Sequence, residues 1–379
     1  MAIDFDKIPS PCYVLDVQLL RKNLALIQSV KEAADVEIIL AFKGFAMWST
    51  FPVVREYVQG ATASSLHEAM LCYEEMKVKA HTYAPIYLKS EFPEIIRRSS
   101  HITFNSLGQF EALYPEIQRS GAAISIGLRV NPEFSEVSNP LYNPCAPGSR
   151  LGITQDLLGD ALPKEVEGLH FHSLCESTSY DLEKTLFAFE QKFGRYFHQI
   201  KWVNMGGGHL MTKEGYDVPH LIRLLKEFKS KHNLHIILEP GSAFAWRTGY
   251  LVSSVVDIVE NHGIKTAMLD VSFTAHMPDC LEMPYKPNIL GAKEAEEGLP
   301  SYRMGGNSCL SGDFMGDWSF NQALKVGDRI VFDDMIHYTM VKTSTFNGVP
   351  HPSIGIWDEA NGFELMREFG YEDFKNKLS

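Results

Sequence analysis

The sequence predicts an α/β protein, a (β/α)8 barrel followed by a smaller β-sandwich or β-barrel domain, and three observations carry that prediction. Eight short runs rich in β-branched residues alternate with longer amphipathic stretches from about residue 17 onward, a rhythm that makes a parallel sheet covered by helices and, at eight units, closes it. No glycine turn follows the first run, where an open, doubly wound nucleotide-binding sheet would place its phosphate loop. Beyond about residue 245 the rhythm changes to strand-like runs joined by turns, with no long helical pattern.

Taken in order, the barrel strands are expected at "VEIILAF", "GATAS", "AHTYAPI", "HITFN", "AISIGLRVN", "VEGLHFHS", "KWVNMGG" and "LHIILEPG". "LLRKNLALIQSVKEAA" reads as a helix before the first strand, and helices are expected between the strands at "STFPVVREYV", "SLHEAMLCYEEM", "EFPEIIRRS", "SLGQFEALYPEIQRS", "TQDLLGDAL", "DLEKTLFAFEQKFGRYF" and "VPHLIRLLKEFKSK". The later strand candidates are "YLVSSVVDIV", "KTAMLDVSF", "DRIVFDD" and "HYTMVKTSTFNG". The opening segment "PSPCYVLDVQLL" is extended and carries two prolines, so it is expected to pair with the β-domain before the barrel begins. The division that follows is a barrel over 22–245 and a β-domain made of 1–21 plus 246–379.

Of 379 residues, 45% are apolar and 22% charged, which fits a chain folded nearly throughout. A net charge of −12 argues against nucleic acid or an anionic membrane as a partner, since either needs a basic patch, and leaves room for a cationic small molecule. The six cysteines form no CxxC pair, so neither a zinc site nor a disulfide framework is indicated. With no signal region at "MAIDFDKIPS" and no window of membrane-span length, a cytoplasmic protein is expected.

Barrel enzymes carry their chemistry at the carboxyl ends of the strands. Those positions hold Lys43; Ser64, Ser65, His67 and Glu68; Arg129 and Asn131; His170 and His172; Gly206, Gly207 and Gly208; and Glu239, Pro240 and Gly241. Each has a plain alternative. Lys43 could snorkel past apolar surface, the two histidines could line the barrel or join a metal site, "GGGH" could be a loose turn, and Glu239 could cap a helix. One cofactor would use all of them. Pyridoxal 5′-phosphate needs a lysine amine, a glycine-rich cradle for its phosphate, an acid that keeps its ring nitrogen protonated, and a flat group against its ring.

The order "AFKGF", "ATASSLHE", "SRLGI", "HFHS", "GGGH", "EPG", "SCLSGD" and "HYTMVKTSTFNG" resembles the alanine racemase-like, fold-type III pyridoxal phosphate decarboxylases across nearly the whole chain. The resemblance implies that Lys43 carries the cofactor, His172 lies on its ring and Glu239 pairs with the ring nitrogen. It places the phosphate on the backbone of Gly206, Gly207, Gly208 and Gly241, helped by Ser242 and Tyr338, with Arg150 nearby. It also implies a homodimer with shared active sites, in which "SCLSGD" of a second copy supplies Cys309, the proton donor, and Asp313. The longer blocks "NPEFSEV", "LYNPCAPGSRLGI", "HFHSLCES" and "DVSFTAHMPDCLEMPYKP" resemble the branch that decarboxylates carboxynorspermidine and carboxyspermidine, so the substrate implied is a carboxylated polyamine. Two departures bear on this: Ser242 stands where family members carry arginine after "EPG", and Leu310 where the diaminopimelate enzymes carry glutamate. Losing a cation and gaining an acid-bearing loop suits a cationic tail, for which His276, Asp279, Glu282, Asp313 and Glu176 are the expected contacts. The alternatives are another basic amino acid, diaminopimelate or arginine, and a non-catalytic pyridoxal phosphate-binding protein.

Overall fold

The computed structural model describes residues 3–139 and 142–379, so Pro140 and Leu141 of the "NPLYNPC" stretch lie outside the described residues. The chain divides into two compact units, 23–244 and the combination of 1–22 with 245–379. The first is an all-parallel barrel. Its opening strand is interrupted at Ile39 into Glu37–Ile38 and Leu40–Ala41; the first piece pairs with the eighth strand, His235–Leu238, and the second with the next strand, Ala61–Ala63. The ring is completed by Ala80–Tyr83, Ser99–Phe104, Ser125–Arg129, Val166–His170 and Trp202–Asn204. All eight runs expected to be barrel strands are therefore found, because a strand buried on both faces leaves a purely local record of β-branched residues.

Inside the barrel, alternate side chains meet across the axis. Ile39, Trp202 and Ile237 form a buried cluster. Trp202 is the bulk of it, and two neighbouring strands make room by carrying no side chain. A Cβ on Gly168 would lie 2.0 Å from the indole and one on Gly127 2.5 Å from it. The indole N–H donates to Ser125 Oγ at 2.8 Å. This plug closes the barrel below the strand ends.

The covering helices start on side-chain caps. Ser65, Ser106 and Asp217 accept from the backbone amides of Glu68, Gln109 and His220, and Thr178 forms a reciprocal capping box with Asp181. The expected helix at "TQDLLGDAL" is only a single 3-10 turn, Gln155–Leu157, with Gly159 and Pro163 soon after it. The one at "STFPVVREYV" shrinks to Phe51–Val54 behind a 3-10 turn.

In the second unit a nine-stranded mixed sheet contains Cys12–Asp16, which pairs antiparallel with Gly249–Asn261 and parallel with Ser353–Asp358. Ile264–Leu269 and Arg329–Asp333 fall where the sequence expects strands. "HYTMVKTSTFNG" does not form one. It contains two 3-10 turns, Met340–Lys342 and Phe346–Gly348, because Tyr338 and Asn347 adopt positive φ, 50° and 62°, which no strand accommodates. Ser301–Gly305, Phe314–Phe320 and Gly362–Arg367 are strands the periodicity does not announce. Among the described residues no helix is long and apolar enough to cross a membrane.

Candidate active site

Lys43 sits in the turn that follows the first barrel strand, where the chain passes close to the turn after the eighth. A Cβ on Gly44 would fall 2.8 Å from Gly241 Cα, so only glycine permits this approach. The lysine amine ends 3.3 Å from His172 Nε2. By area Lys43 is exposed, yet protein surrounds it. That combination describes a group lining an open recess, not one projecting from a surface. Burial, aided by the Arg129 guanidinium, lowers its pKa, while Glu239, Cys175 and Glu68 pull the other way.

His172 is fixed from the opposite side. The amide of Gly207 donates to its Nδ1 at 2.8 Å, so in the neutral ring the proton resides on Nε2, facing Lys43. Burial, then the charges of Lys43 and Arg129, hold the ring well below the usual histidine range. His172 is therefore a neutral, flat, oriented surface at pH 7.

The glycine triplet packs against this same segment. A Cβ on Gly206 would lie 2.5 Å from the Phe171 carbonyl oxygen and 2.7 Å from His172 Cβ, and one on Gly208 2.4 Å from the Leu174 carbonyl. Gly206 and Gly208 also have φ of 66° and 89°, a conformation that favours glycine. Two of the three amides are committed within the protein: Gly206 donates to Asn204 Oδ1 at 2.9 Å, and Gly207 to His172.

Glu239 is buried beside them. Asn204 Nδ2 donates to its Oε1 at 2.7 Å, and its Oε2 lies 3.5 Å from His170 Nε2. Burial alone would raise the carboxyl pKa, but His170 and Asn204 outweigh it and take it down to about 2. Burial lowers the pKa of His170 in turn, with Glu239 opposing that shift. Arg129, also buried, donates to the His172 carbonyl at 3.2 Å and lies 4.7 Å from the Tyr83 ring centroid. Tyr83 in turn donates to Asn105 Oδ1, which also receives the Gly152 amide, while Asn105 Nδ2 holds the Arg150 carbonyl. The "SRLGI" loop is tied to the barrel in this way, with the Arg150 side chain exposed.

Lys43, His172, Glu239 and the triplet thus come together. Ser242 opens the short helix Ser242–Ala245 directly after Gly241, and Glu176 is exposed with φ of 47°. In the other unit, Cys309 is exposed and its amide donates to Asn347 Oδ1 at 2.7 Å. Asp313 braces this loop, accepting from the Thr274 amide and, through its other oxygen, from that of Ser308, each at 3.0 Å. Asp279 is buried and accepts from the hydroxyls of Tyr285 at 2.7 Å and Thr339 at 2.8 Å. His276 is fully buried, its Nδ1 accepting from the Ser272 amide, and Glu282 pairs with Lys342 on the surface. Arg129 is one of the strand-end positions read from sequence; Asn204, Tyr83 and Asn105 go beyond them, and all three stand at or beside a strand end, which was their one local signal.

Comparison with known proteins settles the family. The model of the pyridoxal-dependent decarboxylase family, C-terminal sheet domain, matches residues 12–336. The chain belongs to that family. This pyridoxal phosphate-dependent decarboxylase is 52% identical over 372 residues to a carboxyaminopropylagmatine decarboxylase of Synechocystis, covering 98% of this chain and 96% of that one. It is 45% identical to a carboxynorspermidine/carboxyspermidine decarboxylase of Campylobacter jejuni, covering 98% of each. The crystal structure of the Campylobacter jejuni carboxynorspermidine decarboxylase complexed with norspermidine superposes with a TM-score of 0.90 at 43% identity, covering 98% of this chain and all of that one.

The residues present fit the family's cofactor. An amine kept toward its neutral form lines an accessible recess, a neutral ring faces it, an ionised carboxylate stands nearby, and the adjoining backbone is glycine where any Cβ would collide. Among the described residues no group of three or more His, Cys, Asp or Glu side chains is arranged to hold a metal.

Proposed function

We propose that this decarboxylase removes CO2 from carboxynorspermidine and carboxyspermidine, leaving norspermidine or spermidine. The observation that carries the reading is the Lys43 amine, depressed in pKa and set 3.3 Å from an imidazole whose tautomer Gly207 dictates. When bound, pyridoxal phosphate supplies an electron sink for the pair left behind as the carboxylate departs. Lys43 would hold that group through its amine, whose lowered pKa favours the nucleophilic form. Glu239, held ionised, would pair with the ring nitrogen, and His172 would present its neutral face to the ring. The phosphate side falls to the backbone of Gly208 and Gly241, with Gly206 and Gly207 shaping the cradle, and to the Ser242 and Tyr338 hydroxyls and Arg150. Glu176 and Glu282, whose carboxylates reach solvent, receive the cationic tail, with His276, Asp279 and Asp313 shaping that end.

The relatives named for carboxynorspermidine and carboxyspermidine, one of them solved with norspermidine, support this substrate. A second reading has a specific observation in its favour: the relative at 52% identity is named for a carboxyaminopropyl derivative of agmatine, whose tail ends in a guanidinium group. These substrates share the α-amino acid head and differ in the tail, in its far cation and, for carboxynorspermidine, in its length. A CO2-release assay with the two carboxylated triamines, the agmatine derivative and diaminopimelate separates them. The triamines should exceed diaminopimelate by at least about 10²-fold in kcat/KM, since a site built for a cation rejects a second carboxylate. Turnover of diaminopimelate alone would overturn the substrate assignment.

The chain is further proposed to act in the cytoplasm, in keeping with its six free cysteines, as a homodimer in which Cys309 and Asp313 of each copy serve the site of the other. Cys309 delivers a proton to the carbon that loses CO2. Cys309→Ala should lower product formation by about 10²-fold and release partly mis-protonated product. Mixing it with an inactive Lys43→Ala chain should restore activity that neither homodimer shows. No restoration after subunit exchange would refute the shared site.

A further inference from the structure

Asn204 uses both ends of its amide, and each end has a different partner. Its Oδ1 accepts from the Gly206 amide at 2.9 Å and its Nδ2 donates to Glu239 Oε1 at 2.7 Å. The side chain is buried, at 4% exposure, at the end of the seventh barrel strand. The two contacts fix the orientation of the amide: an acceptor must face Gly206, so the NH2 must face the carboxylate.

We propose that Asn204 is a positioning residue for catalysis, whose NH2 group clamps one oxygen of Glu239 in the ionised state and leaves the other to serve the cofactor's ring nitrogen. The inference rests on the role given to Glu239 above and adds a second residue through which that role is exercised. The charged and titratable groups around Glu239 come from several strands. His170 lies 3.5 Å from its free oxygen, while His81 and Lys43 act at longer range. Burial lowers the pKa of His170, His81 and Lys43 alike, so each is disfavoured as a cation. None of them offers the permanent, close donor that Asn204 does. The amide also links the carboxylate to the first glycine of the triplet, so a single side chain sets the acid and the turn together.

Asn204→Asp separates these two contacts. Aspartate still accepts from Gly206, so the turn is retained, but it places a second carboxyl group against Glu239. Two carboxyls at hydrogen-bond distance share a proton, which raises the apparent pKa of the pair. Asn204→Leu removes both contacts, the clamp and the turn, and adds no ionisable group. For Asn204→Asp, kcat should fall by about 10²-fold near pH 7 and recover as pH rises, adding an ionisation that the wild type lacks, with KM changed less than threefold. Cofactor affinity of the apoprotein, followed by fluorescence quenching on adding pyridoxal phosphate, should stay within about threefold, because the phosphate contacts are untouched.

An assay without cofactor completes the test. The melting temperature of the apoprotein between pH 5 and 8 should fall with rising pH in Asn204→Asp relative to wild type, since a shared proton retained in the folded state is lost there. A variant with wild-type pH profiles in both kcat and apoprotein melting would overturn the inference. So would a variant that matches Asn204→Leu, losing affinity and stability with no new ionisation. If the wild-type chain takes up no pyridoxal phosphate, the functional reading fails while the apoprotein titration still decides the coupling between Asn204 and Glu239.

Discussion

Replacing Lys43 with alanine should reduce decarboxylation by at least about 10³-fold while leaving the melting temperature of the apoprotein unchanged or slightly raised. The rate loss follows from the role proposed for this amine, which would hold the cofactor. The stability effect follows from what surrounds it: the ammonium form is disfavoured by burial and by Arg129, so its removal relieves a cost. Borohydride reduction followed by peptide mass spectrometry should find the cofactor fixed on the peptide containing Lys43 in wild type and on no peptide in the variant. Excess methylamine should restore part of the rate by supplying an external amine. A second consequence tests the geometry. Lys43 depresses the pKa of His172, so the histidine of the variant should titrate higher than in wild type. A Lys43→Ala protein that retains wild-type turnover, or a label fixed at another lysine, would remove the basis of the proposed function.

The barrel was readable because its strands are buried on both faces and each records that locally. Its sixth expected helix was not, since nine residues with an internal glycine can satisfy the pattern while forming one 3-10 turn, Gln155–Leu157. "HYTMVKTSTFNG" misleads in the opposite direction. Its Tyr, Val and Thr residues have strand propensity, and the positive φ values at Tyr338 and Asn347 that break the run are set by tertiary structure. In the site, strand-end position alone located Lys43, His172 and Glu239, because barrel topology gathers such ends at one mouth. The glycine triplet was legible as a phosphate cradle or a loose turn. The structure adds a steric demand, since Gly206 and Gly208 press on Phe171, His172 and Leu174, and two of the amides are spent on Asn204 and His172. Asn204 itself could not be singled out from sequence. Its role depends on which way an amide points, and that is decided by residues 2 and 35 positions away.

Acidification from pH 7 to about 4.5 should unfold the cofactor-free barrel cooperatively, ahead of any effect of its carboxylates. Five histidines inside the barrel, His81, His101, His170, His172 and His209, are held below their ordinary value of 6.5, burial being the largest cause for each. His101 falls to about 3 and His209 to about 4. The sign follows from linkage. Below 6.5 the unfolded chain binds protons at these positions and the folded chain does not, so the stabilisation present above 6.5 is lost as pH falls toward the folded values. Each such group removes up to about 1.4 kcal/mol per pH unit while the pH lies between 6.5 and its folded value, so several acting together erode an ordinary stability of about 5–15 kcal/mol. Glu239 and Glu37 are also depressed, from 4.5, but a carboxylate so shifted loses its contribution only as pH falls from 4.5 toward its folded value. The two windows therefore separate, and a transition centred between pH 6 and 4.5 reports on the histidines. His101 supplies the control, because its ring lies 3.8 Å from that of His81, tilted by 33°, and meets Trp202 edge-on at 5.5 Å. Phenylalanine can keep those contacts while removing a proton site, so His101→Phe should move the midpoint to lower pH. Circular dichroism and tryptophan fluorescence that remain flat down to pH 4.5 would show that the imidazoles are hydrated, and a barrel interior open to water could not hold Lys43 toward its neutral form either.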